Sequence, residues 1–328
     1  MKKMMIFGVI FVMAFIMVSN PYTTQFISEK RDHSLAVSKS KDSLYHEIEM
    51  NSEKYELPAS DAKIDPIWKA IPGYNGLKVD VDASYRKMKE GGEFSEEKLQ
   101  FKQVKPNVHL EDLPAAPIYK GHPEKPMVSF IINVAWGNEY LMDMLATLKK
   151  HHIHATFFLE GRWVQTNPEL AKMITDAGHE VGNHSFTHPD LKVSSSAKIR
   201  QELEKTNEVI KATTGVNPVW FAPPSGSFRD EVISIAAQEQ MGTIMWSVDT
   251  VDWKKPSPDV LINRVMSKVH NGAIILMHPT SSTAQSLDRL ITGIKEKDLQ
   301  INTITELLKE ERPDDSYPEK KVKELDNN

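Results

Sequence analysis

The sequence contains no cysteine. Disulfides, thiolate metal sites and thiol catalysis are therefore excluded, and any metal has to be held by His, Asp, Glu or water. Such a chain is equally stable in an oxidising or a reducing compartment. The sequence also lacks a strong charge bias: 40 Lys and Arg against 45 Asp and Glu leave a formal net charge of -5. That is not the basic balance of a nucleic-acid surface. There is no internal repeat and no low-complexity tract. What is present, 328 residues that are 40% hydrophobic and 26% charged, suits one large domain, or one domain with a smaller companion.

The N-terminus reads as an address. Two lysines precede an apolar run of 15 residues, Met4 to Val18. That length fits the core of a signal peptide and is short for a spanning helix. No small-residue cleavage site follows, so residues 1–21 read as a signal peptide or a retained N-terminal anchor. The rest of the chain is then expected at the extracellular face of the membrane or in the cell wall. Residues 22–62 are polar with weak periodicity and read as a linker. Residues 63–90 look like a small α+β module, with a strand over Leu77–Val81 and a helix over Ser84–Lys89. Residues 91–125 hold prolines and few periodic apolar positions, a connecting segment. The charged stretch 311–328 reads as a disordered tail.

From residue 126 to about 310 the pattern changes to strands alternating with amphipathic helices, the signature of a parallel sheet or barrel. Val128–Val134 is an apolar strand, and Leu141, Met144, Leu145 and Leu148 follow at helical spacing. His154–Leu159, His179–Val181, Pro218–Ala222, Thr243–Val248, Ala273–Met277 and Ile301–Ile304 read as further strands. Ser194–Ser196 and Ser257-Pro258 offer helix starts, and Gly178, Gly215 and Gly272 offer stops.

Polar candidates gather where such folds build chemistry, at or just past the C-terminal strand ends. His184 and His188 lie four residues apart after a strand, a plausible pair of metal ligands. Asp249 and His278 end two other strands.

Four stretches resemble one family. Asn183-His-Ser-Phe-Thr-His188 resembles the His-Ser/Thr-x-x-x-His metal motif of the polysaccharide deacetylases with a NodB-homology domain, carbohydrate esterase family 4. Ala155-Thr-Phe-Phe158, Asp249-Thr-Val-Asp-Trp253 and Leu276-Met-His278 are similar to three further segments of that family, in order. The resemblance covers residues 126–308 and is nearest to the deacetylase-like proteins of spore-forming bacteria linked to sporulation. It implies an α/β fold, a distorted (β/α) barrel of the NodB-homology type. It implies a cell-wall glycan as partner, peptidoglycan or a chitin-like N-acetylglucosamine polymer, and a divalent metal such as zinc. In the family, one aspartate and two histidines hold the metal, a second aspartate is the base, and a histidine protonates the leaving nitrogen.

This sequence departs from that pattern at the first motif. Counting back from Thr156 places Asn133 at the position of the base and Val134 at that of the metal aspartate. Neither residue can do the work expected there. Ala222-Pro-Pro-Ser225 replaces the family's Arg-x-Pro-Tyr, so the arginine that orients the base is missing and Ser225 stands in the acetate pocket. The resemblance implies His278 as a remnant general acid with Asp249 as its partner, His184 and His188 as metal ligands, and Asp252, Trp253 and Ser225 at the substrate. Blander roles stay open: a hydrogen-bonded loop pair for the two histidines, a structural or ligand-contact role for His278, a loop cap for Asp249, core packing for Trp253 and Trp136. Asn138 or Glu139 could replace the lost carboxylate only if their loop folds back. His151, His152, His154 and Glu160 read as surface groups.

The function expected is therefore that of a polysaccharide deacetylase relative acting at cell-wall or spore glycan, with catalysis weak or lost and zinc held weakly or not at all. A working N-acetylglucosamine deacetylase with rearranged ligands is one alternative, and a glycan-binding or scaffold protein of the spore envelope is another.

Overall fold

A computed structural model describes residue 25 and residues 43–313. The expected signal segment and all but the first residues of the charged tail lie outside this range. The described chain forms two compact units: one from residues 43–57 and 77–103, the other from Pro58–Gly76 and Val104 onward.

The expected linker and module are drawn differently here. Residues 43–52 are helical. Leu44 and Ile48, four apart and so on one face of that helix, are buried with Tyr55, Val79, Met88 and Leu99. Of the four short strands before residue 126, β1 (Lys63–Asp65) and β2 (Lys69–Ile71) pair with each other, as do β3 (Gly76–Val79) and β4 (Phe101–Val104). β3 and the helix Val81–Met88 correspond to the expected strand and helix of the module. Residues 58–76, however, belong with the larger unit. Ala70 donates its N–H to Pro117 O at 3.1 Å, and Asn75 donates to Glu310 O at 2.8 Å. Of the expected connecting segment, residues 104–125 are part of the larger unit, while residues 91–103 belong with the smaller one. Ile118 donates its N–H to Thr243 O and accepts from Met245 N–H. A single residue paired in this way leaves no periodic pattern to read.

The main unit is built on an eight-stranded sheet, with β5 (Met127–Val134), β6 (Thr156–Leu159), β7 (Glu180–Asn183), β8 (Trp220–Phe221), β9 (Gly242–Thr243), β10 (Val248–Asp249), β11 (Ile274–Met277) and β12 (Gln300–Ile301). The order is β10-β11-β5-β6-β7-β8-β9, with β12 also paired to β5. Every pairing in it is parallel. The expected strand Thr243–Val248 is split. Its start pairs with β8 and its end with β11, so one extended stretch serves both ends of the strand order. With the helices between successive strands, this is a distorted (β/α) barrel. The expected last strand is shorter too, because Ile304 opens the helix Ile304–Leu308.

All eight residues of β5 are buried, yet they serve two faces, since successive side chains point to opposite sides. Val128, Phe130, Ile132 and Val134 join Leu141, Met144, Leu145 and Leu148 of the helix Asn138–Lys150 in the layer between sheet and helices. Met127 and Ile131 join Phe158, Ala222, Ile244, Ile274 and Leu276 inside the barrel. Helix starts and stops follow the local code. Ser195 caps Ser196–Thr214 by accepting from Lys198 N–H, and Gly215 ends that helix at φ 78°. Pro258 opens the helix after Ser257.

The first and last parts of this unit are tied together. The Lys125 ammonium, 2% exposed, donates to Glu306 O at 2.7 Å and Lys309 O at 2.6 Å. It thus satisfies carbonyls that the helix Ile304–Leu308 leaves open at its C-terminal end. Burial pushes its pKa down to about 8.

One glycine is set by close approach. A Cβ at Gly182 in β7 would lie 2.5 Å from the Phe158 ring and 2.9 Å from Trp220 O. Gly182→Ala is therefore expected to lower stability by roughly 1–3 kcal/mol, the usual cost of overpacking. A urea titration followed by fluorescence checks it, and Phe158→Leu in the same chain is expected to recover part of the loss.

Candidate functional site

β7 runs straight into the loop that carries both histidines. His184 continues the interior row and is 2% exposed. Its Nδ1–H donates to Ala222 O at 2.8 Å, which fixes the tautomer and leaves Nε2 as the free nitrogen. His188 is exposed, and the two rings meet edge to face with centroids 5.0 Å apart. The loop is held by groups that the motif pattern does not reveal. Asn183 Oδ1 accepts from Ser185 N–H, and its Nδ2 reaches Leu203 O and Asn207 Oδ1. Glu202, 1% exposed, accepts from the N–H groups of Phe186 and Thr187, from the Thr187 hydroxyl and from Lys198. Burial pushes the Glu202 carboxyl up, but Lys198 and these hydrogen bonds outweigh it and hold the pKa below the usual range. Ser185 and His188 both have positive φ, a conformation such residues hold only where surrounding contacts enforce it.

Asn133 faces the same interior. It is 4% exposed, and its Oδ1 is buried without a hydrogen-bond partner. Together with His184, His188, Ser225, Trp246, Asp249 and His278 it lines a cavity of about 470 Å³. Val134, expected at a metal-ligand position, is not brought there. One residue further along the strand it points the other way, into the apolar layer under the helices. Ala222, fully buried, leaves the base side of the cavity without a guanidinium, and Ser225 stands in the wall at φ 54°.

On the opposite side the structure corrects the expected pairing. The partner of His278 is Asp252, not Asp249. Asp252 Oδ1 lies 2.8 Å from His278 Nδ1, while Oδ2 accepts from His278 N–H at 2.6 Å and from the Thr283 hydroxyl at 2.6 Å. Asp252 is wholly buried, so it cannot touch a substrate, the role expected of it. Asp249 lines the cavity and caps the following loop by accepting from Val251 N–H at 2.7 Å. The indole of Trp136 is stacked on His278, 5.9 Å between centroids and 7° between planes. Trp136 and Trp253 are 48% and 54% exposed, which excludes core packing for both. Trp253 also lines the cavity, and Lys254 Nζ sits 4.9 Å from its ring.

The remaining candidates are placed elsewhere. Asn138 accepts from Trp163 Nε1–H and donates to Asn167. It and Glu139 line a neighbouring depression and not the histidine cavity, so their loop does not fold back. Glu160, expected at the surface, is 6% exposed because it caps the helix Gly161–Thr166; burial holds its carboxyl above the usual range. His151 bonds Asp288, and His154 meets His179 edge to face.

The fold and this site can be compared with known proteins. A profile described as polysaccharide deacetylase matches residues 120–244. The protein YlxY of Bacillus subtilis (strain 168), itself uncharacterized, is 55% identical over 314 residues, 95% of this chain and 98% of its own. A crystal structure of BA3943, a CE4 family pseudoenzyme from Bacillus anthracis, is 60% identical with a TM-score of 0.78, covering 83% of this chain and 96% of that one. This chain belongs to the CE4 polysaccharide deacetylase family. A mutant of BA3943 with restored enzymatic activity is similar to it at 59% identity, TM-score 0.78, over 82% of this chain and 99% of that one. A peptidoglycan-N-acetylglucosamine deacetylase of Bacillus cereus is 33% identical over 171 residues, 51% of this chain and 62% of its own.

CE4 enzymes are metal-dependent, so the cavity has to be tested against that role. Its metal half offers two imidazoles and the carboxamide of Asn133. Among the described residues, no group of three or more His, Asp or Glu could hold a metal ion. A catalytic zinc site takes three protein ligands and an open position. The residues present do not fit that description.

The histidine environments set a pH dependence. Burial, with a smaller contribution from His188, pushes His184 down to about 3. Burial likewise pushes His122 and His179 down to about 4, His154 adding to the shift of His179. All three stay neutral in the folded chain but bind protons below pH ~6.5 when it unfolds. Stability is thus expected to be level between that pH and about 7.5 and to fall as pH drops toward 4. The slope is about 1.4 kcal/mol per pH unit for each group. Urea midpoints measured from pH 7.5 to 4.5 check this, and His184→Gln is expected to flatten the slope.

Proposed function

We propose that this protein engages N-acetylated cell-wall glycan outside the cytoplasmic membrane and has lost most or all of the hydrolytic power of its family. The observation that carries the reading is Asn133. It stands on the interior face of β5, in the same cavity as His184 and His188, where a carboxamide can neither take a proton from water nor serve as an anionic ligand. The sugar side of the cavity is retained. Trp136 and Trp253 are exposed beside it, as aromatic faces that stack on pyranose rings would be, and His278 is still oriented by Asp252. The peptidoglycan deacetylase of Bacillus cereus and the pseudoenzyme BA3943 support the glycan and the degenerate site respectively. Export is supported by the apolar run Met4–Val18 behind two lysines. A place in the spore envelope rests on sequence resemblance alone and is the narrower form of the same proposal.

Incubated with zinc and N-acetylglucosamine oligomers, the wild-type chain is expected to release acetate at or near the background rate. Asn133→Asp, alone and combined with Ala222→Arg, is expected to bind zinc more tightly by calorimetry and to raise acetate release roughly tenfold or more. Stoichiometric zinc in the purified wild type, with acetate release abolished by His184→Ala, would instead establish a working deacetylase with rearranged ligands.

A further inference from the structure

The hairpin β1–β2 carries a feature that the histidine cavity does not use. Its loop is Pro66-Ile67-Trp68, with Asp65 paired to Lys69 at the neck. Lys69 adopts φ 58°, the left-handed state that closes a three-residue hairpin loop. Asp65 Oδ1 accepts from the N–H groups of Ile67 and Trp68, both at 2.8 Å, and Lys69 Nζ donates to Pro66 O at 3.0 Å. The tip is thus held in shape by its own polar groups. Its point is nevertheless apolar: Ile67 is 75% exposed and Ile64 44%.

An aromatic pair and three lysines surround that point. Trp68 meets Tyr119 edge to face, 6.5 Å between centroids, and the half-buried Lys120 sets its Nζ 5.3 Å from the Trp68 ring. Lys63 and Lys69 are exposed. Asp65 is the one acid of the hairpin and is engaged in its turn, so the local balance is positive. This pattern complements the headgroup boundary of a bilayer. The isoleucine suits the acyl chains, the indole and phenol suit the interface, and the ammonium groups suit anionic phosphates.

The place of the hairpin in the fold gives such a contact a direction. Ala70 donates its N–H to Pro117 O and shares a depression with Val219 and Gly242, at the entries of β8 and β9. Lys120 pairs with Ala273, directly before β11, whereas His278 directly follows that strand. The hairpin therefore lies by the N-terminal strand ends and the histidine cavity is built on the C-terminal ones. Residues 19–42 separate the apolar run Met4–Val18 from the helix over residues 43–52. Drawn out they would reach roughly 80 Å, too far to orient the main unit by themselves.

We propose that the β1–β2 hairpin is a membrane-contact element that lays Ile67 and Trp68 into an anionic phospholipid surface and turns the histidine cavity away from it. This inference rests on the export part of the reading above and not on its glycan.

The absence of cysteine makes the test direct. Ile67→Cys and, as control on the loop after His188, the exposed Val193→Cys are each labelled with an environment-sensitive fluorophore in the full chain. Each is mixed with vesicles of phosphatidylcholine alone or with phosphatidylglycerol. Emission at position 67 is expected to shift to the blue, and to be quenched by brominated acyl chains, on the anionic vesicles, while position 193 stays in water. Lys63→Gln with Lys69→Gln is expected to raise the lipid concentration needed roughly 30-fold, about a factor of five for each lysine. A label at 67 that stays in water on every vesicle overturns the proposal, and so does an equal response at 67 and 193. A shift at 67 that grows with protein concentration without lipid would assign the tip to a second copy and likewise overturn it. Flotation of the same samples separates the two readings. A chain that floats with a silent label at 67 removes the hairpin contact and leaves the N-terminal anchor standing, and a chain that does neither removes both.

Discussion

The alternation of side chains along the parallel strands is the constraint on which this site depends. Each strand gives one face to the helices and one to the barrel interior, and the two faces cannot be exchanged without moving a whole strand by one residue. In β5 this rule sends Val134 under the helix Asn138–Lys150 and Asn133 into the cavity. At the end of β7, on the far side of β6, it sends Asn183 toward the helix Ser196–Thr214, where it bonds Leu203 O, and His184 inward. The register joins these rows, with Asn133 opposite Phe158 and Asn183 opposite Phe221. A small set of backbone pairings therefore decides which polar atoms meet.

Most of the barrel was legible because its strands are long apolar runs and its helices carry full-period stripes. Leu141, Met144, Leu145 and Leu148 predicted one helix face, and all four are buried. What escaped reading was structure made of single contacts. Ile118 joins the barrel wall through one residue, and no periodicity marks it. The stretch Thr243–Val248 reads as one strand because its residues are largely apolar, although the backbone bends at Ser247 and changes neighbours midway. The helix over residues 43–52 was lost among polar residues, since only Leu44 and Ile48 mark its buried side.

At the site, the histidine pair was legible from motif spacing, and the departure at Asn133 only through the family resemblance. The partner of His278 was not, because Asp249 and Asp252 are both near the end of the same segment and sequence does not say which turns inward. The turn decides it: Val251 adopts φ 54°, an unusual state for a β-branched residue, and Asp252 is thereby buried against His278 and Thr283. Glu202 could not be found by motif reading either. It lies within a helix whose other acidic residues face solvent, and only its meeting with two backbone N–H groups gives it away.

The lysine buried beneath the last helix bears on how the chain is made. Lys125 immediately precedes the first barrel strand, yet the carbonyls that satisfy its ammonium belong to residues 306 and 309. The first barrel strand also takes β12 as a neighbour. During synthesis, then, the opening strand emerges long before either of its C-terminal partners exists. Until roughly residue 310 has left the ribosome, that ammonium must remain hydrated and the edge of β5 that receives β12 unpaired. Completion of the barrel is thus coupled to the arrival of its final segment, so a chain stopped short of that point would keep an open, association-prone edge.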